Sequence, residues 1–194
     1  MYVAIDIAKL SIFGVTGLPA SGKAVFAEVS KSIGYTSVVM GDIIREECQK
    51  RGLEVNRANS NKVMVELRKD RGDDVVALIT LERVERLYNQ GKRKIIIDGL
   101  RSTTEADIFR KKFNHFEIVA IHASPRQRLE RVKLRGRFDD ATGTSSFLQR
   151  DKVELSVGIG DLIAMADYMI DSPDGLESAR KLYLSFLMYF KNKN

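Results

Sequence analysis

Short apolar runs alternate along the chain with longer stretches in which apolar residues return every three or four positions. The runs are near-continuously apolar and rich in isoleucine and valine, which is typical of parallel strands covered on both faces. They occupy residues 11–16, 37–40, 94–98, 116–123 and 167–171. The stretches between them have helical periodicity and occupy residues 23–33, 42–51, 61–69, 73–90, 103–113 and 125–135. This alternation predicts an α/β fold, a parallel sheet with helices on both faces.

Apolar residues at helical spacing between positions 176 and 190 predict a last helix, whose apolar face packs on the sheet or forms a dimer contact, with packing the favoured alternative. Two other segments depart from the alternation. Residues 51–60 are polar and loop-like, and residues 137–146 are small and polar, which indicates a mobile flap. A length of 194 residues suits one well-packed domain, so we expect residues 1–194 to form a single domain.

Composition and charge narrow the possible ligands only a little. The net charge of +6 and the pI near 9.4 suit an acidic ligand, either a nucleotide or a nucleic acid. Cys48 is the only cysteine, which excludes a disulfide framework and cysteine-based metal clusters. The chain start lacks a signal-peptide pattern and no run approaches the about 18 apolar residues of a membrane span. We therefore expect a cytoplasmic protein without a membrane partner.

The first apolar run leads directly into a glycine-bearing loop and a predicted helix. The loop sequence is GLPASGK, which has the spacing of a P-loop in the strand-loop-helix context that this motif requires. Its glycines let backbone N–H groups surround phosphates, the helix N-terminus adds its positive dipole end, and the lysine adds a point charge. The sequence therefore predicts an ATP site formed by Gly17, Leu18, Pro19, Ala20, Ser21, Gly22, Lys23 and Ala24.

One position of this loop departs from the common pattern. Ala24 stands where many P-loops have the Ser or Thr hydroxyl that binds Mg²⁺. Any Mg²⁺ must then be held by phosphates, water and a carboxylate. Asp98, which closes the run 94–98, is the predicted carboxylate, with Asp42 contributing through water. An aspartate at the end of a strand can also be only a turn or helix cap.

Two arginines follow two other predicted strand ends at similar distances. Residues 41–45 read Gly-Asp-Ile-Ile-Arg and residues 98–101 read Asp-Gly-Leu-Arg. Two guanidinium groups at one edge of a sheet can grip a second phosphate with bidentate, charge-assisted bonds. Taken separately, each could be an ordinary helix or loop arginine. Together they predict an acceptor site that includes Gly41, Asp42, Arg45, Gly99 and Arg101.

A third set of arginines lies in the helix predicted after the fourth strand. Arg128, Arg131 and Arg135 occupy one helix face, and Arg137 follows a glycine. Such a run is usually a solvated face, but a lid over a triphosphate needs several arginines. Nucleic-acid binding would use the same charges; because no basic stripe is interleaved with aromatic residues, we expect small-molecule nucleotides as partners.

Six segments of the chain, taken together, are typical of one family of P-loop proteins. They are GLPASGK, VVMGDIIREE, IIIDGLRS, IHASPRQRLERVKLRGRFDD, ELSVGIG and ADYMI. Through them the sequence from residue 11 onward closely resembles an uncharacterised archaeal family of adenylate-kinase-related proteins, some of which are labelled dephospho-coenzyme-A-kinase-like. The resemblance implies the nucleoside-monophosphate-kinase fold, with a five-stranded parallel sheet. It also implies an acceptor-binding helical insertion at about 41–72 and a short lid at about 136–150.

The resemblance also implies roles for individual residues. Arg45 and Arg101 match the arginines that adenylate kinases use on the acceptor phosphate, and Arg131 and Arg135 match those on the donor side. The lid residues would be Arg137, Asp139, Asp140 and Arg150. The predicted catalytic set is Lys23, Arg45, Arg101, Arg135 and Arg137.

Three positions differ from the adenylate kinase pattern. The Asp-Gly-x-Pro-Arg motif lacks its proline here, which brings Arg101 one position closer to Asp98, and Met40 replaces the usual threonine. Glu105 stands where adenylate kinases have a glutamine that reads adenine. An ionised carboxylate only accepts hydrogen bonds, so it suits the N1–H and N2–H₂ groups of guanine better than adenine. Alternatively, the backbone reads adenine, or Glu105 is a surface residue at a helix start.

These observations predict an enzyme that transfers the γ-phosphoryl group of ATP to a nucleoside monophosphate, with Mg²⁺ as the metal. The resemblance implies AMP as the acceptor. One alternative is a kinase for another small acceptor, such as dephospho-coenzyme A. The other is a nucleotide-binding regulatory ATPase that transfers nothing to an acceptor.

Overall fold

The computed structural model describes residues 10–135 and 144–193. Its five strands form one parallel sheet in the order β2-β3-β1-β4-β5. The strands are β1 (Ser11–Thr16), β2 (Thr36–Val39), β3 (Lys94–Leu100), β4 (Glu117–His122) and β5 (Tyr168–Asp171). All coincide with the predicted runs to within two residues at each end. The predicted fold is confirmed.

The helices lie between the strands, as the periodicity predicts. They are α1 (Lys23–Ser32), α2 (Met40–Lys50), α3 (Arg57–Arg71), α4 (Val75–Asn89), α5 (Thr103–Lys112), α6 (Pro125–Arg135), α7 (Thr144–Ser156), α8 (Ile159–Ala164) and α9 (Leu176–Lys193). No helix of the described ranges is both long and apolar enough to cross a membrane.

Two stretches predicted as irregular contain helix. Residues 57–60, predicted as loop, form the start of α3, because the Asn56 side chain accepts a hydrogen bond from the Asn59 N–H (2.9 Å) and caps the helix. The predicted flap at 137–146 overlaps the start of α7 at Thr144. The rest of that flap, and the first part of the predicted lid at 136–150, lie outside the described residues.

Hydrophobic residues of the sheet alternate between two clusters, one on each face. In β1, Ile12 belongs to the cluster with α2 to α5, whereas Phe13 belongs to the cluster with α1 and α9. In β3, Ile95 and Ile97 join the first cluster and Ile96 joins the second. Because both faces are covered, the inner positions of these strands are continuously apolar, which is the origin of the apolar runs in the sequence.

The last helix packs on the second face through its aromatic residues. The Phe13 and Phe190 ring centroids are 4.7 Å apart, and those of Phe26 and Tyr183 are 5.3 Å apart. The Tyr183 hydroxyl also hydrogen-bonds to Ser172 Oγ (2.7 Å) just beyond β5. Helix α9 therefore covers the second face of the sheet and contacts the chain just beyond β5.

Candidate active site

The loop between β1 and α1 has the backbone conformation of a phosphate cradle. Gly17, Ala20 and Gly22 all have positive φ angles, of 145°, 63° and 119°. A Cβ atom on Gly17 would collide with the Ile121 carbonyl oxygen, and one on Gly22 with the Tyr183 hydroxyl. Both positions therefore require glycine for conformation and for space. Ala20 adopts the left-handed region without being glycine, a strained conformation typical of ligand-binding loops.

Lys23 lies at the centre of this loop. Its ammonium group donates to the Gly17 carbonyl and to the Leu18 carbonyl (3.1 Å). Burial lowers the pKa of Lys23 from 10.5 to about 8, while the nearby carboxylates of Asp98 and Glu154 act in the opposite direction. The loop thus holds a desolvated cation among backbone groups, which suits a phosphate.

The same edge of the sheet offers oxygen atoms suited to a hydrated magnesium ion. Asp98 Oδ1 and Ser21 Oγ are buried and have no hydrogen-bond partner among the described residues. Burial raises the pKa of Asp98, and the charge of Lys23 lowers it. Within the described ranges no group of three His, Cys, Asp or Glu residues could hold a metal. Asp98 therefore fits Mg²⁺ only together with phosphate and water ligands, as expected from Ala24.

At the end of β2, Asp42 and Arg45 are paired with each other. Arg45 Nε donates to Asp42 Oδ1 (2.9 Å), and about half of each side chain is exposed. Helix α2 begins before them, at Met40, so Asp42 lies in its first turn and not at its N-cap, which is Val39. The ion pair with Arg45 holds the Asp42 side chain.

At the end of β3, the register with β1 shifts between Val15 and Thr16. Gly99 is the additional residue and has a φ of 98°, which favours glycine. Beyond it, Arg101 Nε lies 3.0 Å from Glu154 Oε2 of α7. The charges that act on Asp98 are those of Lys23, Asp42, Arg101 and Arg45, so the predicted donor and acceptor groups are brought together at one edge.

Glu105 lies in the first turn of α5 and is not a surface residue. It is 9% exposed, and its Oε2 accepts a hydrogen bond from the Arg101 backbone N–H (2.8 Å). Ser102 Oγ accepts from the Glu105 N–H (3.2 Å), as in a helix-capping pair. Burial raises the pKa of the Glu105 carboxyl, whereas the Arg101 N–H and the charges of Arg101 and Arg68 lower it.

These strand ends open into a cavity of about 410 Å³ between α2, α3, α5 and α7. Five of the six predicted acceptor residues line it, and Asp42 is connected to it through Arg45. The five are Gly41, Arg45, Gly99, Arg101 and Glu105. Other lining residues were not predicted from the sequence: apolar Met40, Ile44, Met64 and Val76, and charged Arg68 and Glu154. Arg150, predicted for the lid, also lines this cavity.

Arg128 of α6 supports the phosphate loop rather than facing solvent. It is 2% exposed and forms a two-bond ion pair with Asp151 of α7 (2.7 and 2.6 Å). It also donates to the carbonyls of Ala123 (3.2 Å) and Pro19 (3.3 Å), and it lies 5.0 Å from the Phe147 ring. The helical spacing of this arginine therefore reflects a structural role.

Arg131 also contacts the loop backbone. Its guanidinium donates to the carbonyls of Ser21 (3.0 Å), Ser172 (3.1 Å) and Pro173 (3.0 Å). These bonds place Arg131 behind the phosphate cradle, on the donor side. The side chain of Arg135, and residues Arg137, Asp139 and Asp140, lie outside the described part of the chain.

Sequence comparison finds relatives across most of the chain. Residues 16–146 match the family model described as an AAA domain. The UPF0200 protein TK1334 of Thermococcus kodakarensis is 46% identical over 158 residues, which cover 80% of this chain and 85% of that protein. The UPF0200 protein PYRAB09750 of Pyrococcus abyssi is 38% identical over 184 residues, 92% of this chain and 98% of that protein. The AAA-domain match implies nucleotide binding.

Solved structures with the same fold include small-molecule kinases. TT1252 from Thermus thermophilus has a TM-score of 0.65 at 16% identity, over 93% of this chain and 97% of that chain. Dephospho-CoA kinase from Campylobacter jejuni has a TM-score of 0.56 at 15% identity, over 94% of this chain and 98% of that chain. At this level of identity, the similarity shows the fold alone.

Proposed function

The chain belongs to the UPF0200 family of AAA-domain proteins, and on that premise we propose that it transfers the γ-phosphoryl group of ATP to a nucleoside monophosphate. The observation that carries the proposal is the arginine-lined cavity, which opens at the same sheet edge as the phosphate loop. A P-loop alone fits any ATPase, whereas a second anion-binding cavity beside it fits a transfer between two bound nucleotides. The resemblance favours AMP as the acceptor, whereas the carboxylate of Glu105 suits guanine better than adenine.

On the donor side, the loop amides and Lys23 would hold the ATP phosphates. Arg128 and Arg131 keep the loop in place through its carbonyl oxygens. Mg²⁺, when bound, would neutralise charge on the phosphates. Asp98 would hold it through water, with Asp42 available only when it leaves Arg45.

On the acceptor side, Arg45 and Arg101 would align the acceptor phosphate. An oxygen of that phosphate attacks the γ-phosphorus, the bond from the γ-phosphorus to its bridging oxygen breaks, and ADP leaves. Because the attacking oxygen is already ionised, the chemistry needs positioning and charge stabilisation more than a general base. Arg135 and Arg137 are the residues that we propose to screen the transferring group.

The test incubates the protein with Mg-ATP and a panel of AMP, GMP, CMP, UMP and dephospho-coenzyme A. We expect ADP and one nucleoside diphosphate to form in equal amounts. Lys23→Met should abolish this formation, whereas Lys31→Met, an exposed change on the same helix, should not. ATP hydrolysis without any phosphorylated acceptor would contradict the proposal and support a regulatory ATPase. Phosphorylation of dephospho-coenzyme A alone would assign a different acceptor.

A further inference from the structure

Charged groups surround the acceptor cavity in two sets. The first set lies at the phosphate loop, where the charges acting on Asp98 are those of Lys23, Asp42, Arg101 and Arg45. The second set is centred on Glu105, which is influenced by Arg101 and Arg68. The cavity also has the apolar walls described above. It can therefore take a ligand that has a phosphate, an apolar body and a second polar edge.

Arg68 on α3 is the cation of the second set. It lines the cavity, and its Nε is buried without a hydrogen-bond partner among the described residues. Arg45 and Arg101 differ in this respect, because each is paired with a carboxylate. A buried guanidinium donor without a partner is unfavourable unless a ligand supplies an acceptor.

Glu105 is the acceptor of the second set, and its position is fixed. Its Oε2 receives the Arg101 N–H, and the helix start that carries it is capped by Ser102. An ionised carboxylate has about four lone-pair sites, so one backbone N–H leaves most of its capacity for a ligand. Glu105 therefore presents a rigid acceptor beside the donors of Arg68.

We infer that Arg68 and Glu105 read the base of the acceptor and that the base they fit is guanine, an inference that rests on the proposed function. Guanine presents two neighbouring acceptors, O6 and N7, to a guanidinium, and two neighbouring donors, N1–H and N2–H₂, to a carboxylate. Adenine has one amino donor and isolated ring acceptors, so it satisfies each side chain only once. A well-formed bidentate contact discriminates by about ten- to hundredfold, and we expect GMP to bind more tightly than AMP by that factor.

The first experiment measures the dissociation constants of GMP, IMP and AMP for the full-length protein by titration calorimetry. IMP retains O6, N7 and N1–H but lacks the N2 amino group. The expected order of affinity is GMP, then IMP, then AMP. AMP binding as tightly as GMP would overturn the inference.

Matched variants assign the selectivity to the two side chains. Glu105→Gln keeps an acceptor for the Arg101 N–H and should reduce the GMP preference at least tenfold. Asp107→Asn, a change of an exposed acidic residue on the same helix, should leave the preference unchanged. Arg68→Met should weaken GMP and IMP, whereas Lys69→Met, its exposed neighbour, should not. Equal losses for GMP and AMP in Glu105→Gln, or unchanged GMP affinity in Arg68→Met, would contradict base reading.

The experiments distinguish a wrong base assignment from a wrong transfer reaction. If GMP binds selectively but no diphosphate forms with Mg-ATP, the transfer reaction is wrong and the base assignment stands. If AMP is phosphorylated in preference to GMP, the transfer reaction stands and the base assignment is wrong. Thermal unfolding of each variant identifies any loss of affinity that comes from misfolding.

Discussion

At the scale of single residues, the protonation of Lys23 should make ATP binding depend on pH. Burial lowers its pKa to about 8, so the free protein loses this cation as the pH rises through that value. Phosphates bind the charged form, and a terminal phosphate is already ionised above its second pKa of about 6. We therefore expect the ATP dissociation constant to increase between pH 7.5 and 9.5, approaching about tenfold per pH unit above the pKa.

Titration calorimetry across this pH range tests the expectation. Lys23→Met should bind ATP weakly and with little dependence on pH. A wild-type affinity that stays constant from pH 7.5 to 9.5 would mean that the ammonium group keeps its proton or does not contact the phosphates.

The Arg101–Glu154 pair gives a second prediction at this scale. The guanidinium that we assign to the acceptor phosphate is already 3.0 Å from a carboxylate, so phosphate and Glu154 compete for it. Glu154→Gln removes the competing charge. Since a partly exposed pair contributes up to about 1 kcal/mol, the acceptor should bind up to about fivefold more tightly.

The control is Glu47→Gln, which removes a carboxylate paired with Arg51 outside the acceptor cavity. That variant should leave acceptor affinity unchanged. Weaker acceptor binding in Glu154→Gln would show that Glu154 orients Arg101 rather than competing for it.

The phosphate loop was predictable from sequence because its chemistry is local. Gly17 and Lys23 are set by the strand before them and the helix after them. The contacts of Arg128 and Arg131 were not predictable, since their partners, which are backbone carbonyls and the Asp151 carboxylate, are far away in sequence. Helical spacing gives the face of an arginine but not what lies against it. Arg68 was missed for the same reason.

At the scale of elements, α6 and α7 are joined by the buried Arg128–Asp151 pair. Removing one partner of such a pair leaves an uncompensated buried charge, so Arg128→Met should lower the free energy of unfolding by about 3–5 kcal/mol. The double variant Arg128→Met with Asp151→Leu replaces both charges with apolar groups and should recover most of that loss. Both variants lose the donors to Pro19 and Ala123 and should bind ATP more weakly than the wild type.

Urea denaturation and ATP titration separate the two effects. If the double variant is as unstable as the single variant, the unpaired carboxylate is not the source of the loss. If it binds ATP like the wild type, the phosphate loop does not need Arg128 to hold its shape.

Helix α7, whose bounds were not predicted, shows where sequence pattern fails for an element. Leu148 and Leu155 of α7 are exposed, while Asp151 is buried by its ion pair, so polarity and burial are partly reversed along this helix. Apolar periodicity therefore could not identify it. The central strands β1 and β3 were easier to recognise, because helices cover both of their faces and their inner positions are continuously apolar.

At the scale of the whole molecule, α9, the sheet and the phosphate loop meet at Gly22. A Cβ there would collide with the Tyr183 hydroxyl, whereas one on Gly34, which also has a positive φ (92°), would meet nothing within 4 Å. Gly34→Ala should therefore lower the free energy of unfolding by only about 1–2 kcal/mol, which is the cost of backbone strain. Gly22→Ala should lower it further, because the loop must also move away from α9.

Thermal unfolding with and without ATP tests whether nucleotide binding depends on the contact between the phosphate loop and α9 at Gly22. Ligand at 100 times its dissociation constant stabilises the native state by about 2.7 kcal/mol, or about 5–10 °C for a domain of this size. The wild type and Gly34→Ala should gain this shift in a single transition, since both hydrophobic clusters share the sheet. Gly22→Ala should unfold at a lower temperature and gain little, because the displaced loop no longer surrounds the phosphates. A full ATP shift in Gly22→Ala would show that nucleotide binding does not depend on the contact between the loop and α9.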